Sequence, residues 1–553
     1  MRSVREVVAD SLAASQVSTV FALMGAANQE LMCDLSERHG IRLVHGRHES
    51  GTVGMADGYS RFSGTLGVAT VTSGPGVTNT ATALAVARAH ATPVLLLAGD
   101  SPRGDVRNPQ YLEQQSFTRL CGGTSGYAGD PGVMSQLLGD AGRTLASDAP
   151  YTLNMPVDVQ ESTTDADPVR FTPPRGQGTD LLGDPGHARD GDLVRDTARL
   201  LLAAARPVIL AGRGALRAER PVSALADLLG APLVTTLRAA GFLADHPLWA
   251  GVCGPMGDGR SHKTLAEADL VLVLGSSLHP LATWALRVRT PRPALVRVDT
   301  AEPSGDLPCE TYLRGDVESV ADTLVRQLSG LLPGGRPRPV LPACDDAFVD
   351  RSVSSGVHVR DALDTLRTHL PAQRLMVIGG GHAALSACQA IPPTGRRDFT
   401  CVSTDFGAIG QALPVAIGAC FARPGERVHH ITADGELMMS LAELHTAVRY
   451  HLPLTVIVLN DHGFGQERHN LTRAGRPRRH AAHPAPDLAA LAEAMGATGY
   501  RVTRPDELPV LKRVLSHCPD DGVVLVDVRV DPAYLNPASA QVAAAMAAVA
   551  HRP

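Results

Sequence analysis

Short apolar runs alternate along this chain with longer amphipathic stretches, and that alternation sets the fold class. Val4 to Ser15 carries apolar residues at helical spacing, and Val17 to Phe21 is a β-branched run leading to a glycine turn at Gly25. Leu31 to Arg38 predicts the next helix, Ile41 to Val44 a strand, Gly51 to Phe62 a helix and Leu66 to Thr72 a strand. Past the loop Ser73–Gly76 come a helix from Val77 to Ala89 and the strand Pro93 to Ala98. Strands apolar on both faces, each followed by a helix, predict a parallel sheet covered by helices. The pattern resumes with a helix from Asp192 to Ala205 and strands at Pro207–Ala211, Val234–Thr236, Leu270–Gly275 and Ala294–Asp299. It returns a third time beyond Gly356, where His429 to Gly465 reads strand, helix, strand: Leu437, Leu441, Leu444 and Val448 recur at helical spacing before LTVIVLN.

The fold class is therefore α/β, with three domains of parallel sheet flanked by helices. The divisions expected are residues 1–165, a linker at 166–190 rich in Asp, Pro, Gly and Thr, a central domain at 191–335, a second linker at 336–355, a third domain at 356–535 and a tail at 536–553. Within the tail, Ala538 to Ala550 can form a terminal helix. The first and third domains share an order of elements, which suggests duplication.

A length of 553 residues is too great for one core. Lys and Arg number 51 against 56 Asp and Glu, a net charge of -5 with no basic block, so nucleic acid is not an expected partner. The nine cysteines form no CxxC pair, which argues against a zinc cluster or disulfide scaffold. No signal-peptide layout and no apolar run long enough to span a membrane occur, so a soluble, cytoplasmic protein is expected.

Two acidic residues stand at the ends of the two strands in the third-domain unit, Asp434 and Asp461, 27 positions apart. A β-α-β unit can bring such positions together above one crevice. Adjacent carboxylates repel unless they share a proton or a cation, and hard oxygen ligands suit Mg2+. A helix cap at Asp434 and a turn residue at Asp461 is the alternative. Elsewhere, Glu49 in RHESG reads locally as a helix-entry carboxylate. Gly379-Gly380-Gly381-His382 follows a strand and can offer backbone N–H groups to phosphate, or be a plain turn; no Lys stands at Walker spacing. Gln466 to Asp487 is polar and basic and reads as a solvated loop.

The stretch ADGELMM…LNDHG resembles the diphosphate-binding motif of thiamine-diphosphate enzymes, and RHE, MADGYSR and VTSGPGVTN resemble the pyrimidine-binding face of the acetolactate synthase group. The resemblance extends in patches over nearly the whole chain, strongly at both ends. It implies a pyrimidine-binding first domain and a diphosphate-binding third domain, with each site formed between subunits of a homodimer or homotetramer. It implies that Asp434, Asp461 and the Gly463 carbonyl hold Mg2+, with Gly435 and Asn460 completing the motif. Glu49 is then the carboxylate that hydrogen-bonds the aminopyrimidine, flanked by His48, with Thr72 and Asn79 beside the ring. Gly381 and His382 neighbour the diphosphate, and Ile409 is the apolar wedge beneath the cofactor. His48, His279 and His382 are candidate acids or bases on the substrate side, and because the stretch after Gly465 helps cover the active site in related enzymes, Gln466, Arg468 and His469 could meet an acidic substrate.

Ala433 replaces the first Gly of the family motif, and Asp461 an Asn. Leu112 occupies the place of a glutamine in branched-chain acetohydroxyacid synthases, and Gly275-Ser276-Ser277-Leu278-His279-Pro280 lacks the acidic pair of their FAD-binding run, so thiamine diphosphate with Mg2+ is expected and FAD is not. The activity implied is decarboxylation of a small-molecule 2-oxo acid, pyruvate by default, with ligation of the acyl unit to an acceptor carbonyl. The alternatives are decarboxylation that releases an aldehyde, and a cofactor-binding homologue without catalysis.

Overall fold

The computed structural model describes residues 2–171, 190–257, 259–280, 282–283, 286, 291–301, 307–343, 351–483, 486–517, 521–537 and 539. Most of the first linker, part of the second and the Ala538–Ala550 stretch lie outside the described residues.

In chain order the strands are β1 (Arg2–Ser3), β2 (Thr19–Ala22), β3 (Arg42–His45), β4 (Gly67–Val71), β5 (Val94–Asp100), β6 (Thr124–Tyr127), β7 (Tyr151–Pro156), β8 (Thr163–Thr164), β9 (Pro207–Ala211) and β10 (Leu233–Thr235). They continue with β11 (Trp249–Val252), β12 (Leu270–Leu274), β13 (Ala294–Asp299), β14 (Thr311–Arg314), β15 (Leu375–Ile378), β16 (Phe399–Cys401), β17 (Val428–Ala433), β18 (Leu454–Asn460), β19 (Thr498–Val502) and β20 (Val523–Arg529). Three six-stranded parallel sheets result, in orders β3-β2-β4-β5-β7-β6, β11-β10-β9-β12-β13-β14 and β16-β15-β17-β18-β20-β19. The first and third have the same topology, as the shared order of elements suggested; the middle one has a different, doubly wound order. The antiparallel pair β1 and β8 ties the first domain's ends together.

Strands buried on both faces were the most legible. All seven residues of β18 are buried between β17 and β20, which is why LTVIVLN is rich in apolar, β-branched residues with no alternating polar face. The sheet-edge strands β6, β14 and β19 have mixed exposure and carry no clear apolar signal. The helix expected over Val77 to Ala89 is broken into Pro75–Thr78 and Ala81–His90. Gln466 onward is not a solvated loop at its start. It opens as the helix Gly465–Arg473, whose buried residues are Gly465 and Arg468, so no apolar stripe announced it.

The first and third domains pack through Glu49–Ser63 against Ala412–Ala422, a helix buried from Ala412 through Phe421. Small residues permit the approach. A Cβ on Gly54 would come within 2.8 Å of the Pro414 side chain, and one on Gly58 would collide with the Val415 carbonyl. His48 caps the first helix by accepting from the Ser50 N–H at 3.1 Å, and Gly64 ends it at φ 71°.

Asp405 joins all three domains. Its carboxylate accepts from Arg61 at 2.7 Å and His90 at 3.0 Å, and lies 3.3 Å from the Arg238 guanidinium of the middle domain. Burial works to raise its pKa, but the charges of His90, Arg61 and Arg238 outweigh it and hold the carboxyl well below its usual value. Burial and the Arg61 charge push His90 itself toward neutrality, so Arg61 is the partner that matters near pH 7. Asp405→Asn should cost about 3 kcal/mol, the low end for breaking a buried pair, because Asp57 still faces Arg61. The folded pKa is depressed, so the contribution is present above the unfolded carboxylate value and lost as pH falls through the folded one. The difference between parent and variant melts should narrow progressively as pH falls below about 4 and close only below the folded value; a constant difference across pH would contradict the pairing.

Among the described residues, no helix is long and apolar enough to cross a membrane.

Candidate active site

The third-domain half of the site forms where β17 and β18 end side by side. Asp434 opens the helix Asp434–Ser440 directly after β17, and Asp461 follows β18. Both are buried, at 2% and 4% exposure. Asp434 Oδ2 accepts from the Gly463 N–H at 3.0 Å, while its Oδ1 is buried with no partner. Burial raises Asp434 to about 6. Burial and then the Asp434 charge raise Asp461 to about 7, against the lowering influence of Arg468. The parallel pairing of β17 with β18, Ala433 beside Leu459, therefore sets the two carboxylates at neighbouring strand ends.

An orphaned carboxylate oxygen beside a second buried carboxylate fits a hard divalent cation. Among the described residues no group of three or more His, Cys, Asp or Glu side chains is placed to hold a metal, so other ligands would be backbone or cofactor oxygens. The turn suits that need: Gly463 has φ 148°, and a Cβ there would strike the Ala481 carbonyl. A Cβ on Gly435 would come within 2.9 Å of the Phe464 ring. Asn460 is occupied elsewhere, donating to Asp527 at 2.9 Å and accepting from the His462 N–H at 3.1 Å.

Ile409 is half-buried and lies over the glycine turn after β15; a Cβ on Gly380 would come within 2.5 Å of Ile409 Cγ2. Gly381 takes φ 112° at the same turn. His382 is turned inward. Its Nε2 accepts from the Asn536 N–H at 2.8 Å, so Nδ1 carries the proton and donates to Gln466 Oε1 at 3.1 Å. Its ring lies 4.4 Å from that of His469, and burial, then His469, pushes its pKa down to about 4. It is a neutral tie between the glycine turn, the helix Gly465–Arg473 and the 534–539 segment. Gln466 and His469 are engaged there too, and Arg468 points at Asp461.

In the first domain, Glu49 is the first residue of its helix and half-buried. The break after Thr78 turns Asn79 toward it, and Asn79 Nδ2 donates to Glu49 Oε2 at 2.9 Å. Thr72 Oγ1 accepts from the Ala27 N–H at 3.3 Å, and its side chain lies against Gly76. Gln114 Oε1 accepts from the Gly74 N–H and Gln110 Oε1 from Ser73 Oγ, each at 2.6 Å, so the Gly-Pro-Gly loop is held from behind. His48 spends Nδ1 on its capping bond.

Two interior side chains, Glu443 and Glu436, escaped the sequence reading, and a third, Arg468, faces inward where the sequence suggested it meets substrate. Glu443 of the third domain accepts from the N–H groups of Arg47 and His48, just before Glu49. Glu436 bonds the Gly380 N–H and the Thr432 hydroxyl through Oε2 and the Gly410 N–H through Oε1. One carboxylate thus ties the Gly380 turn to the Ile409–Gly410 turn, two residues from Asp434. Glu436→Ala leaves these buried donors without an acceptor and should cost about 3 kcal/mol, read by urea denaturation. Loss of under about 1 kcal/mol would show that the turns hold themselves.

Among the described residues no hydrogen bond joins Glu49 or Asn79 to Asp434, Asp461 or Ile409 within one chain. A cavity of about 490 Å³ opens elsewhere, where the three domains meet beside Arg61, Arg213, Arg396 and Asp405. At its edge the Gly212–Gly214 turn meets Gly275, with the Gly214 N–H donating to the Gly275 carbonyl at 2.9 Å. That close backbone approach accounts for these glycines.

Comparison with known proteins agrees with this geometry. The thiamine pyrophosphate enzyme N-terminal TPP binding domain matches residues 2–120, the central domain 194–324 and the C-terminal TPP binding domain 379–528. A probable 2-ketoarginine decarboxylase of Pseudomonas aeruginosa is 30% identical, covering 93% of this chain and 91% of that protein. A sulfoacetaldehyde acetyltransferase of Alcaligenes xylosoxydans xylosoxydans is 28% identical over 94% and 92%. A probable acetolactate synthase large subunit of Methanocaldococcus jannaschii is 26% identical over 96% and 92%. The solved thiamine diphosphate-dependent 4-hydroxybenzoylformate decarboxylase of Rhodococcus jostii RHA1 superposes with a TM-score of 0.77 at 22% identity, covering 96% of this chain and 99% of that one.

Proposed function

Because this chain belongs to the thiamine pyrophosphate enzyme family, whose members act on 2-oxo acids, we propose that it decarboxylates a 2-oxo acid and ligates the acyl unit to an acceptor carbonyl. The observation that carries the site assignment is the buried Asp434–Asp461 pair with its orphaned oxygen. Full-length similarity to a probable acetolactate synthase large subunit supports ligation.

When bound, thiamine diphosphate supplies the electron sink that lets a 2-oxo acid lose CO2. The chain's own residues would hold and shape it. Asp434 Oδ1, Asp461 and the Gly463 carbonyl would hold Mg2+. Ile409, wedged over Gly380, would pack beneath the cofactor and restrict its shape. Glu49 keeps Oε2 on Asn79, and its Oε1 would be left to hydrogen-bond the aminopyrimidine and exchange a proton with it. His382, locked neutral, positions the 534–539 segment rather than moving protons.

A second copy of the chain completes the site in this reading. Both halves carry large apolar side chains in the open: Met24 is 55% exposed in the loop before Gly25, and Met439, against Gly410, is 63% exposed. Such exposure beside a polar site supports this reading, since another subunit would cover it.

Supplying pyruvate, then other 2-oxo acids, with and without an aldehyde or second oxo acid, and identifying products by NMR tests the ligation. A hydroxyketone or acetohydroxy acid is the expected product. Free aldehyde alone, at the rate of CO2 release, would replace ligation with simple decarboxylation.

A further inference from the structure

Asp461 brings a second carboxylate into a buried site that already holds Asp434. Two unscreened carboxylates side by side, once ionised, would bind a dication well but repel the diphosphate that must share it. The structure supplies a counter-charge. Arg468, seven residues on, reaches back from the helix Gly465–Arg473 with its guanidinium 3.4 Å from Asp461 Oδ2, and the two side chains are only 11% and 6% exposed. The same guanidinium donates to the carbonyls of Asp461 at 2.8 Å, His462 at 3.1 Å and Pro532 at 3.3 Å, spanning the turn that leads to Gly463.

Building on the cation-site reading above, we propose that Arg468 is a positioning residue that balances the charge of Asp461. The pair behaves toward the ion as one neutral ligand: an oxygen donor with its charge offset, on a turn the guanidinium holds in shape. Asp434, Asp461 and Arg468 together carry one net negative charge, the value an aspartate and a carboxamide would give. Asp461 and Arg468 are therefore a coupled substitution, and neither is replaceable alone.

Changing Asp461 to Asn leaves a buried guanidinium facing the ion without its counter-charge; removing the guanidinium as well relieves that conflict. Equilibrium dialysis of thiamine diphosphate across a Mg2+ series reads this without turnover, with thermal melts confirming that each protein is folded. D461N should need at least about tenfold more Mg2+ for half-maximal retention. D461N/R468Q should return to within about threefold of the parent. If the double variant is as weak as D461N or weaker, Arg468 is only a clamp on the turn and the charge-balance proposal falls. An unchanged curve for D461N overturns it too. D434A in the same series separates the layers: a D434A curve matching the parent refutes the cation site itself, whereas loss in D434A without rescue in the double variant refutes only the role of Arg468.

Discussion

Glu49→Gln should bind thiamine diphosphate nearly as well as the parent yet lose catalysis by about 10²-fold or more. The side chain keeps its size, and its amide oxygen can still accept from Asn79 Nδ2, so the helix entry stays in place. What disappears is the carboxylate able to take and return a proton at the pyrimidine nitrogen. Glu443 fixes the backbone of Arg47 and His48 just ahead of it, so the substitution has little reason to displace the segment. The direct readout is exchange of the bound cofactor's ring proton for deuterium, followed by NMR. Exchange should slow in step with turnover; an unchanged exchange rate would show that Glu49 is not the activating group.

Asp434→Ala should abolish cofactor retention while leaving the protein folded. The variant removes the oxygen that has no protein partner and the Gly463 contact, in a shell that wants near-octahedral order. It also removes the negative charge that helps raise Asp461, so the empty protein should melt no lower than the parent, and higher if repulsion dominates. The contrast appears on adding ligand. Saturation at a hundredfold excess over Kd stabilises a folded protein by about 2.7 kcal/mol, a shift of several degrees in the first transition. The parent should show that shift with thiamine diphosphate and Mg2+ together, and the variant none. Equal shifts in both would place the cofactor elsewhere.

The sheets and the polar pairs at strand ends were open to sequence reasoning because their signals are local. β17 and β18 are buried throughout and rich in β-branched residues, and a parallel unit places Asp434 and Asp461 at neighbouring strand ends, whatever the rest of the chain does. The same holds for Glu49, whose helix begins where RHE leaves β3. Glu436, Glu443 and Arg468 were not legible, for a different reason. Glu436 and Glu443 bond mostly backbone N–H groups distant in sequence or in another domain, and Arg468 turns back onto the carbonyls of Asp461 and His462 and reaches Pro532; nothing in the apolar pattern announces such bonds. Arg468 shows the cost most clearly. Set among polar residues it reads as solvated and substrate-facing, yet the helix turns it inward onto Asp461. His382 was placed near the right turn, but only its bonds to Asn536 and Gln466 show that its ring is fully engaged.

The central claim is that Glu49 and the Asp434–Asp461 pair serve one thiamine-diphosphate site that decarboxylates 2-oxo acids. Release of CO2 from a panel of 2-oxo acids beginning with pyruvate, with thiamine diphosphate and Mg2+ saturating, tests it most directly. The account predicts release from at least one donor, dependent on both additions, suppressed in E49Q and absent in D434A. No CO2 from any donor, in a protein that calorimetry shows to have bound thiamine diphosphate, would contradict it.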